Sequence, residues 1–371
     1  MHLPPFELER YFARYEFSTP YTLCSSDSES VAVGDLLALE PDARAAINRH
    51  WLGYTESQGA PSLRAEISRL YQTIRPDQVL VCSGAEEAIF LFMNAALEPG
   101  DHAIVHGPRY QSLSAVAQGI GCEVTDWMGR EADGWALDLE DLRGEIRPAT
   151  RVVVVNTPHN PTGYLMSGGE FRELAACCDR TGAVLFSDEV YHESEYDPAQ
   201  RLPMACDLSE RAVSLGVMSK TYGLPGLRIG WIATRNAELH GRMARLKDYT
   251  TICNSAPSEF LAEVALRHRP DLVRRNLDII AANLSVLDEF FARHPDRFSW
   301  VRPRAGPIAF PRLLGEEVGI FCDRLAADAG VLLLPGTVYG DRDNHFRIGF
   351  GRKNLPEAVA RLEGLLSSRP S

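Results

Sequence analysis

The stretch RVVVVNTPHNPTGYLMSGGEFRELAACCDRTGAVLFSDEV (151–190) decides the class of fold. It contains two short apolar runs, RVVVVN (151–156) and AVLFSD (183–188), with a segment of helical apolar spacing between them. The apolar residues of these runs are not confined to one face, which is typical of central parallel strands covered by helices on both sides. The stretch therefore predicts a strand, a helix and a second strand of an α/β sheet.

The same alternation of apolar runs and helical patterns extends from about Pro61 to Ile232. Five further strands are predicted, at QVLVCS (78–83), HAIVHG (102–107), CEVTDW (122–127), RAVSLGVMS (211–219) and RIGWIAT (228–234). Helical spacing lies between them, as in GAEEAIFLFMNAAL (84–97) and YQSLSAVAQGI (110–120). We therefore expect an α/β fold with a mostly parallel seven-stranded sheet sandwiched by helices.

The pattern changes after about Asn254. Helices are predicted near 270–293, 316–329 and 355–367, and short strands near 298–313, 331–334 and 345–350. These short elements are typical of a smaller α+β domain, and the first thirty or so residues, which show no clear period, are expected to form an arm over it. The expected division is an N-terminal arm joining the small domain (1–34), a large domain (35–253) and a small C-terminal domain (254–371).

The composition excludes several classes of partner and location. The chain has 371 residues, of which 45% are hydrophobic and 24% charged, and its length exceeds what one hydrophobic core usually organises. With 38 Lys and Arg against 50 Asp and Glu, the net charge of −12 argues against nucleic acid or an anionic membrane as the main partner. No signal-peptide core or membrane-length apolar stretch is visible, so a cytoplasmic protein is expected.

Cysteine and histidine spacing indicates no metal site. The eight cysteines are dispersed and none sits in a C-x-x-C pair. The ten histidines show no H-E-x-x-H or other compact ligand spacing. No metal is therefore predicted.

Four segments carry residues suited to chemistry, although each alone is compatible with an ordinary loop, turn or strand exit. They are VLVCSGAEEAIFLF (79–92), VNTPHNPTGY (155–164), LFSDEVYHE (185–193) and VMSKTYGLPGLRIGW (217–231). In the last of them, Lys220 lies at a strand end and is followed by two glycines and Arg228. Asp188 ends a strand so apolar that a carboxylate there needs a specific partner. The glycine turn before the helix at 85–92 leaves free N–H groups that favour a phosphate.

In order and spacing, these segments resemble the fold type I pyridoxal-phosphate enzymes, specifically the class I/II aminotransferase family. The resemblance extends from Tyr54 to Arg347 and implies the large domain and small domain typical of that fold type. Within the family, the chain looks most like the branch that contains capreomycidine synthase. The segments that carry this likeness are PHNPTG (158–163), SKTYGLPGLRIGW (219–231), RLKDYT (245–250) and AFPRLL (309–314).

The resemblance implies pyridoxal 5′-phosphate as cofactor and the large domain as the part that binds it. Lys220 is the lysine that forms a Schiff base with the cofactor and moves the substrate α-proton. Asp188 keeps the pyridine nitrogen protonated, so that the ring draws electron density from the substrate. Tyr191, the third catalytic residue, shares the phenolic oxygen of the cofactor with Asn160, and Tyr110 stacks on the ring face.

The resemblance also implies a phosphate site and a substrate site. The phosphate site consists of Gly84, Ala85, Glu86, Ser219 and Arg228. In GYTESQGAPSLR (53–64), Tyr54 is the tyrosine that reaches the phosphate of a neighbouring subunit, which implies a homodimer with shared active sites. Arg347 in HFRIGFG (345–351) grips the substrate carboxylate, with Asn160 beside it.

The chain departs from the family pattern at two places. Val217 stands where Gly or Ser is common, and YTLCSSDSESVAVGDLL (21–37) replaces a turn that touches substrate in many members. The polar residues Asp27 and Glu29 could meet a cationic substrate such as an arginine derivative, whereas Arg109 could favour an acidic one. The substrate side chain therefore stays open.

The resemblance implies an aminotransferase of amino acid metabolism that passes the amino group of an α-amino acid to a 2-oxo acid. A lyase or cyclase of the same fold, acting by β-elimination or replacement on a functionalised amino acid, is the alternative. A third class is the effector-sensing domain of a transcription regulator. It is disfavoured because only about fifty residues precede Tyr54 and they carry no basic helix-turn-helix pattern.

Overall fold

A computed structural model describes residues 1–367 of the chain. Its α-helices within those residues are α1 (Glu7–Tyr15), α2 (Val33–Leu37), α3 (Ala43–Asn48), α4 (Pro61–Ser68), α5 (Ala85–Ala96), α6 (Ser112–Ile120), α7 (Leu139–Glu145), α8 (Gly168–Thr181), α9 (Ala205–Leu208), α10 (Ala237–Lys247), α11 (Ala256–Arg267), α12 (Arg269–Arg293), α13 (Val318–Ala329) and α14 (Leu355–Ser367). Its strands are β1 (Tyr21–Thr22), β2 (Val79–Cys82), β3 (His102–Gly107), β4 (Glu123–Met128), β5 (Thr150–Asn156), β6 (Val184–Asp188), β7 (Val213–Val217), β8 (Gly230–Thr234), β9 (Phe298–Ser299), β10 (Ile308–Ala309), β11 (Arg312–Leu313), β12 (Val331–Leu332), β13 (Leu334–Pro335) and β14 (Phe346–Gly349).

Seven strands form one sheet in the order β2-β8-β7-β6-β5-β3-β4. All neighbours in it are parallel except those of β8, which runs antiparallel to both β2 and β7. The stretch 151–190 supplies β5, α8 and β6 of this sheet. The expected mostly parallel seven-stranded α/β fold is therefore confirmed.

Helices cover the sheet on both faces because its central strands are apolar on both. Along β5, Val152 and Val154 join the hydrophobic core that contains α5, whereas Val153 and Val155 join the core that contains α8. Successive side chains of a strand point to opposite faces, so this alternation places one helical layer on each side. The carboxyl ends of the parallel strands meet at one edge.

The C-terminal part of the chain forms its own smaller core. A three-stranded antiparallel sheet has the order β10-β14-β13, and β9 pairs with β11. Helices α12, α13 and α14 pack on these strands through a separate hydrophobic cluster. Strand β1 pairs in parallel with β12, which ties the N-terminal segment to this part. The division at 34 and 253 stays a prediction.

The first thirty residues differ from the expectation because they contain helix α1. Its contacts are tertiary: Tyr11 Oη donates to the Leu333 carbonyl at 2.9 Å, and Tyr15 Oη donates to Asp323 Oδ1 at 2.8 Å. At its start, the Glu7 backbone N–H donates to Gln111 Oε1 of the large-sheet region at 2.9 Å. A nine-residue helix is marginal in isolation, so contacts with distant residues stabilise it.

Three further features concern the described residues. No helix in residues 1–367 is long and apolar enough to cross a membrane. In the same part of the chain, no group of three His, Cys, Asp or Glu side chains is placed to hold a metal ion. All eight cysteines are free thiols, and all but Cys253 are buried.

Candidate functional site

A cavity of about 360 Å³ lies at the carboxyl edge of the large sheet. The last residues of three adjacent strands line it: Asn156 of β5, Asp188 of β6 and Val217 of β7. The pairing of β5 with β6 sets Asn156 directly beside Asp188. Of these three, Asp188 was predicted for the site. The other predicted site residues that line the same cavity are Ala85, Glu86, Tyr110, Asn160, Tyr191, Ser219, Lys220, Arg228 and Arg347. The structure therefore brings most of the predicted site together.

The amine of Lys220 lies inside the cavity. Its Nζ donates a hydrogen bond to Ser26 Oγ at 2.9 Å. Burial lowers the pKa of Lys220, against the opposing charge of Asp27 nearby. Because burial disfavours the charged form, it shifts the protonation equilibrium of the amine toward its neutral, nucleophilic form.

Asp188 places a carboxylate at the floor of the cavity. It is 6% exposed, and its Oδ1 accepts a hydrogen bond from the Val190 N–H at 3.3 Å. Burial raises the pKa of Asp188 to about 7. A buried carboxylate with so little hydrogen bonding is suited to a cationic ligand atom such as a protonated ring nitrogen.

Asn160 is held by a network that orients its amide. Its Oδ1 accepts hydrogen bonds from Tyr339 Oη at 3.1 Å and from Arg347 Nη1 at 3.2 Å. Its backbone N–H donates to Asn156 Oδ1 at 2.7 Å. Because two donors occupy Oδ1, the Nδ2 amide is the group left to donate to a ligand. Asn156 and Tyr339 thus support the site without having been predicted for it.

Arg347 is fixed almost entirely by the protein. It is 1% exposed, and its Nε and Nη2 atoms donate to the Cys24 carbonyl at 3.0 and 2.8 Å. Its Nη1 donates to Asn160 and to the hydroxyl of Tyr339. A guanidinium carries five N–H donors, and this preset orientation suits it to a carboxylate in the cavity.

The corner of the cavity near α5 has the features of an anion site. Helix α5 begins after Gly84 with no side-chain cap, so its first N–H groups are available to a ligand. Gly84 has φ +83°, and a Cβ there would lie 2.5 Å from Arg228 Nη2. Ser219 and Arg228 line the same cavity. Because Gly84 has no Cβ, the Arg228 guanidinium can lie close to the start of α5.

Glu86 and Tyr191 make contacts that were not predicted. The Glu86 carboxylate accepts a hydrogen bond from Ser112 Oγ at 3.3 Å and also lies against the Tyr110 hydroxyl, and burial raises its pKa. Its backbone N–H, and not this carboxylate, is the group suited to a phosphate. Tyr191 is 1% exposed and donates from its hydroxyl to the Ser26 carbonyl at 3.1 Å.

Some residues named from the sequence lie away from the cavity. Tyr54 is 88% exposed and lies outside it, so the expected reach to a second subunit stays a prediction. Arg109 pairs with Asp126 and does not line the cavity, which removes the hint of an acidic substrate. Glu29 instead accepts from the Lys353 N–H at 2.9 Å, so its suggested contact with a substrate is wrong.

Asp27 does line the cavity, but it is not free. Its carboxylate forms an ion pair with Arg352 at 2.9 Å. No role was predicted for the neighbouring Ser26, and helix α1 was not expected at the site, yet both line the cavity. The spacing of Leu8 and Phe12, one turn apart, was the signal that could have pointed to an amphipathic helix there.

The donor set fits pyridoxal 5′-phosphate. The uncapped start of α5 and Arg228 suit its phosphate, and Asp188 suits its protonated ring nitrogen. The amine of Lys220 suits its aldehyde. These three functions occur in one cavity, at positions that the strand ends and one helix start determine.

Comparisons with known proteins agree with this geometry. The family model described as aminotransferase class I and II matches residues 23–362. Capreomycidine synthase from Streptomyces vinaceus is 34% identical over 96% of this chain and 92% of its own length. The crystal structure of a PLP-dependent aminotransferase from Streptococcus suis 89-1591 superimposes with a TM-score of 0.94 at 32% identity, covering 100% of both chains. That of the PLP-dependent cyclase OrfR gives 0.91 at 31% identity, covering 100% of this chain and 99% of its own.

Proposed function

The chain belongs to the class I and II aminotransferase family, and on that premise we propose that it passes the amino group of an α-amino acid to a 2-oxo acid. Its cofactor is pyridoxal 5′-phosphate, which when bound draws electron density from the substrate α-carbon. The observation that best supports the proposal is that Asp188, Lys220 and Arg347 line one cavity. Asp188 would bind the ring nitrogen, Lys220 would transfer the proton, and Arg347 would bind the substrate carboxylate.

Each part of the cofactor has its proposed partners in this chain. The start of α5 at Ala85 and Glu86, with Ser219 and Arg228, holds the phosphate. Asp188 would hold the ring nitrogen, and the Asn160 amide would donate to the phenolic oxygen. Tyr191 would donate to the same oxygen by turning its hydroxyl away from the Ser26 carbonyl. Tyr110, which lines the cavity, would stack on the ring.

Lys220 is proposed to move the proton. Its Nζ would take the proton from the substrate α-carbon and deliver it to a different atom as the amino group is transferred, and the hydroxyl of Ser26 at 2.9 Å would hold the amine in place. Burial lowers the pKa of Lys220, which favours the neutral amine that accepts the proton. Arg347 meanwhile holds the carboxylate, which orients the bond that loses the proton.

A lyase or cyclase is the second candidate function. It is favoured by a specific observation, since capreomycidine synthase is 34% identical and a PLP-dependent cyclase superimposes with a TM-score of 0.91. Both reactions begin with removal of the same α-proton, so the residues named above serve either one. In transamination the substrate loses its amino nitrogen, whereas in the lyase or cyclase reaction it loses a substituent of its side chain.

A single-turnover experiment separates the two candidates. The loaded enzyme is mixed with each of a panel of amino acids without any 2-oxo acid, and products are quantified while the absorbance of the bound cofactor is followed. An aminotransferase should release one equivalent of 2-oxo acid per site and then stop with a lasting change of absorbance. Continued turnover with the original absorbance restored would instead establish the lyase or cyclase.

Two chains are proposed to form a homodimer with shared active sites. Support comes from exposed apolar residues on two neighbouring segments, 51–54 and 249–252: Trp51, Leu52, Tyr54, Tyr249 and Ile252. A hydrogen bond from Thr55 Oγ1 to the Asn254 carbonyl, at 3.4 Å, joins the ends of these segments. Sedimentation of the wild type against Trp51→Lys tests the dimer, because a charge in an apolar interface should shift it to monomer. A cytoplasmic location stays a prediction.

A further inference from the structure

Helix α1 forms one wall of the active-site cavity. Leu8, Glu9, Phe12 and Glu16 line it. Leu8 and Phe12 lie one turn apart on α1. Glu16 follows the end of the helix, one turn after Phe12 and still with helical backbone angles, so the three lie on one face. The wall thus combines two apolar side chains with two carboxylates.

Neither carboxylate on this wall has a partner within residues 1–367. Glu9 is exposed at the mouth and Glu16 is half-buried, and neither side chain forms a hydrogen bond or an ion pair in that part of the chain. Burial raises the pKa of Glu16, and the charge of Glu9 raises it further while Arg352 opposes the shift. Two like charges beside one cavity repel each other, and a ligand cation between them would relieve that repulsion.

The cations that line the cavity are already committed. Arg352 forms its ion pair with Asp27 at 2.9 Å, and Arg347 is bound to the Cys24 carbonyl and Asn160. Lys220 and Arg228 serve the reactive end in the proposed function. An acidic substrate side chain would have to displace an existing pair, whereas a cationic one finds two unpaired carboxylates.

We propose that Glu9 and Glu16 bind the positively charged end of the substrate side chain, so that the enzyme selects amino acids with a guanidinium or ammonium group. This inference rests on the proposed function and names its substrate class. Leu8 and Phe12 contact the aliphatic stem that separates such a charge from the α-carbon. Their carboxylate neighbours form charge-assisted hydrogen bonds with the cation.

The attachment of α1 supports a role in recognition. The helix is bound to the C-terminal part by Tyr11 and Tyr15 and to the large-sheet region through Gln111. A wall attached on two sides holds its carboxylates in place before the substrate arrives. Less conformational entropy is then lost on binding.

Arginine and citrulline test the proposal, since they differ in replacing a guanidinium with a neutral ureido group of similar shape. Dissociation constants are measured by titrating the cofactor-loaded enzyme and following the cofactor absorbance. The variants are Glu9→Gln, Glu16→Gln and the double variant. Glu7→Gln is the matched control, because Glu7 lies on the same helix but outside the cavity. Glutamate serves as the acidic probe.

The wild type should bind arginine at least about tenfold more tightly than citrulline, since hydrogen bonds to a charged group are stronger than those to a neutral one. Glu16→Gln should lower that ratio about tenfold, the double variant should abolish it, and Glu7→Gln should preserve it. Equal binding of arginine and citrulline by the wild type, tighter binding of glutamate, or an unchanged ratio in the double variant would overturn the proposal.

The same titration separates this inference from the proposed function. Absence of any 2-oxo acid product across the panel would refute transamination, yet the ratio of arginine to citrulline binding would still report charge selectivity. Conversely, a working aminotransferase without that selectivity would refute only the role of Glu9 and Glu16.

Discussion

The amine of Lys220 donates a hydrogen bond to the hydroxyl of Ser26 at 2.9 Å, although 194 residues separate them in sequence. Ser26 also accepts, through its backbone carbonyl, the hydroxyl of Tyr191 at 3.1 Å. One residue of the N-terminal segment therefore contacts two of the three residues proposed as catalytic. The segment 25–27 lines the same cavity.

Replacing Ser26 with Ala should shift the titration of Lys220. A hydrogen-bond acceptor stabilises the protonated amine, so its loss should lower the pKa of Lys220 further than burial already does. The rate at which the cofactor-free protein takes up pyridoxal phosphate, measured against pH, should then show a midpoint at lower pH. Ser30→Ala, an exposed neighbour, is the control. An unmoved midpoint in Ser26→Ala would remove Ser26 from the site.

Borohydride reduction of the loaded enzyme should attach the cofactor to Lys220. The amine is the one lysine nitrogen, among residues 1–367, that lines the cavity with Asp188. Peptide mass mapping locates the label. Its appearance on Lys247 or Lys353, or a protein that takes up no cofactor at all, would contradict the assignment.

Replacing Arg347 with Ala should weaken amino-acid binding but retain the cofactor. Removing a buried charged contact costs about 2–5 kcal/mol, so kcat/KM should fall on the order of 10²-fold or more, mainly through KM. Arg347→Lys should restore little, because an ammonium cannot replace the hydrogen bonds to Cys24 and Asn160 and still donate to a carboxylate. Steady-state kinetics and the cofactor absorbance give both readouts. Loss of bound cofactor would place Arg347 in the phosphate site or in a structural role.

Replacing Gly84 with Ala should weaken cofactor binding. The new Cβ would lie 2.5 Å from Arg228 Nη2, and the backbone there has φ +83°. Gly100→Ala is a matched control, because Gly100 has φ +92° but nothing within 4 Å of its added Cβ. Both variants carry the backbone strain, and only the first moves Arg228. Equal dissociation constants for pyridoxal phosphate in the two variants would argue against a phosphate site at Gly84.

Replacing Asp188 with Asn should stabilise the cofactor-free protein at high pH. Burial raises the pKa of Asp188 to about 7 from an ordinary value near 4, so the unfolded state ionises first as the pH rises. Ionisation of Asp188 therefore lowers the free energy of unfolding of the wild type progressively between about pH 4 and pH 7. The asparagine removes this loss. Urea unfolding at about pH 4 and pH 8 should show the variant gaining on the wild type only at the higher pH.

The same substitution should act in the opposite sense once the cofactor is bound. Asparagine cannot keep a ring nitrogen protonated, so activity should fall sharply even where the protein is more stable. A variant that is both more stable without cofactor and fully active with it would disprove the role of Asp188 as the partner of the ring. Glu189, buried beside it but outside the cavity, offers a control substitution, Glu189→Gln.

Much of the site could be predicted from the sequence because its residues lie at the ends of recognisable elements. Asp188 closes an apolar strand, Lys220 follows the next one, and Gly84 precedes an apolar helix. Apolar periodicity is a local property of the chain, and parallel strands bring their carboxyl ends to one edge. The order of the motifs therefore predicted which side chains converge.

Other residues could not be predicted, because nothing local distinguishes them. Ser26, Cys24 and Tyr339 act through hydrogen bonds to residues that are remote in sequence. Glu29 and Asp27 looked alike as acidic residues of one polar loop, yet one faces away from the cavity and the other is paired with Arg352. Orientation within a loop depends on what the loop packs against, which the loop's own sequence does not specify.

By itself, the sequence determined the α/β class and the seven strands, because these follow from periodicity. The motifs at the strand ends also predicted which side chains line one cavity. Only the tertiary structure placed α1 over the cavity, and with it the two unpaired carboxylates of Glu9 and Glu16. The physical reason is that so short a helix depends on contacts with Leu333, Asp323 and Gln111. Those contacts exist only once the sheet and the C-terminal elements have formed.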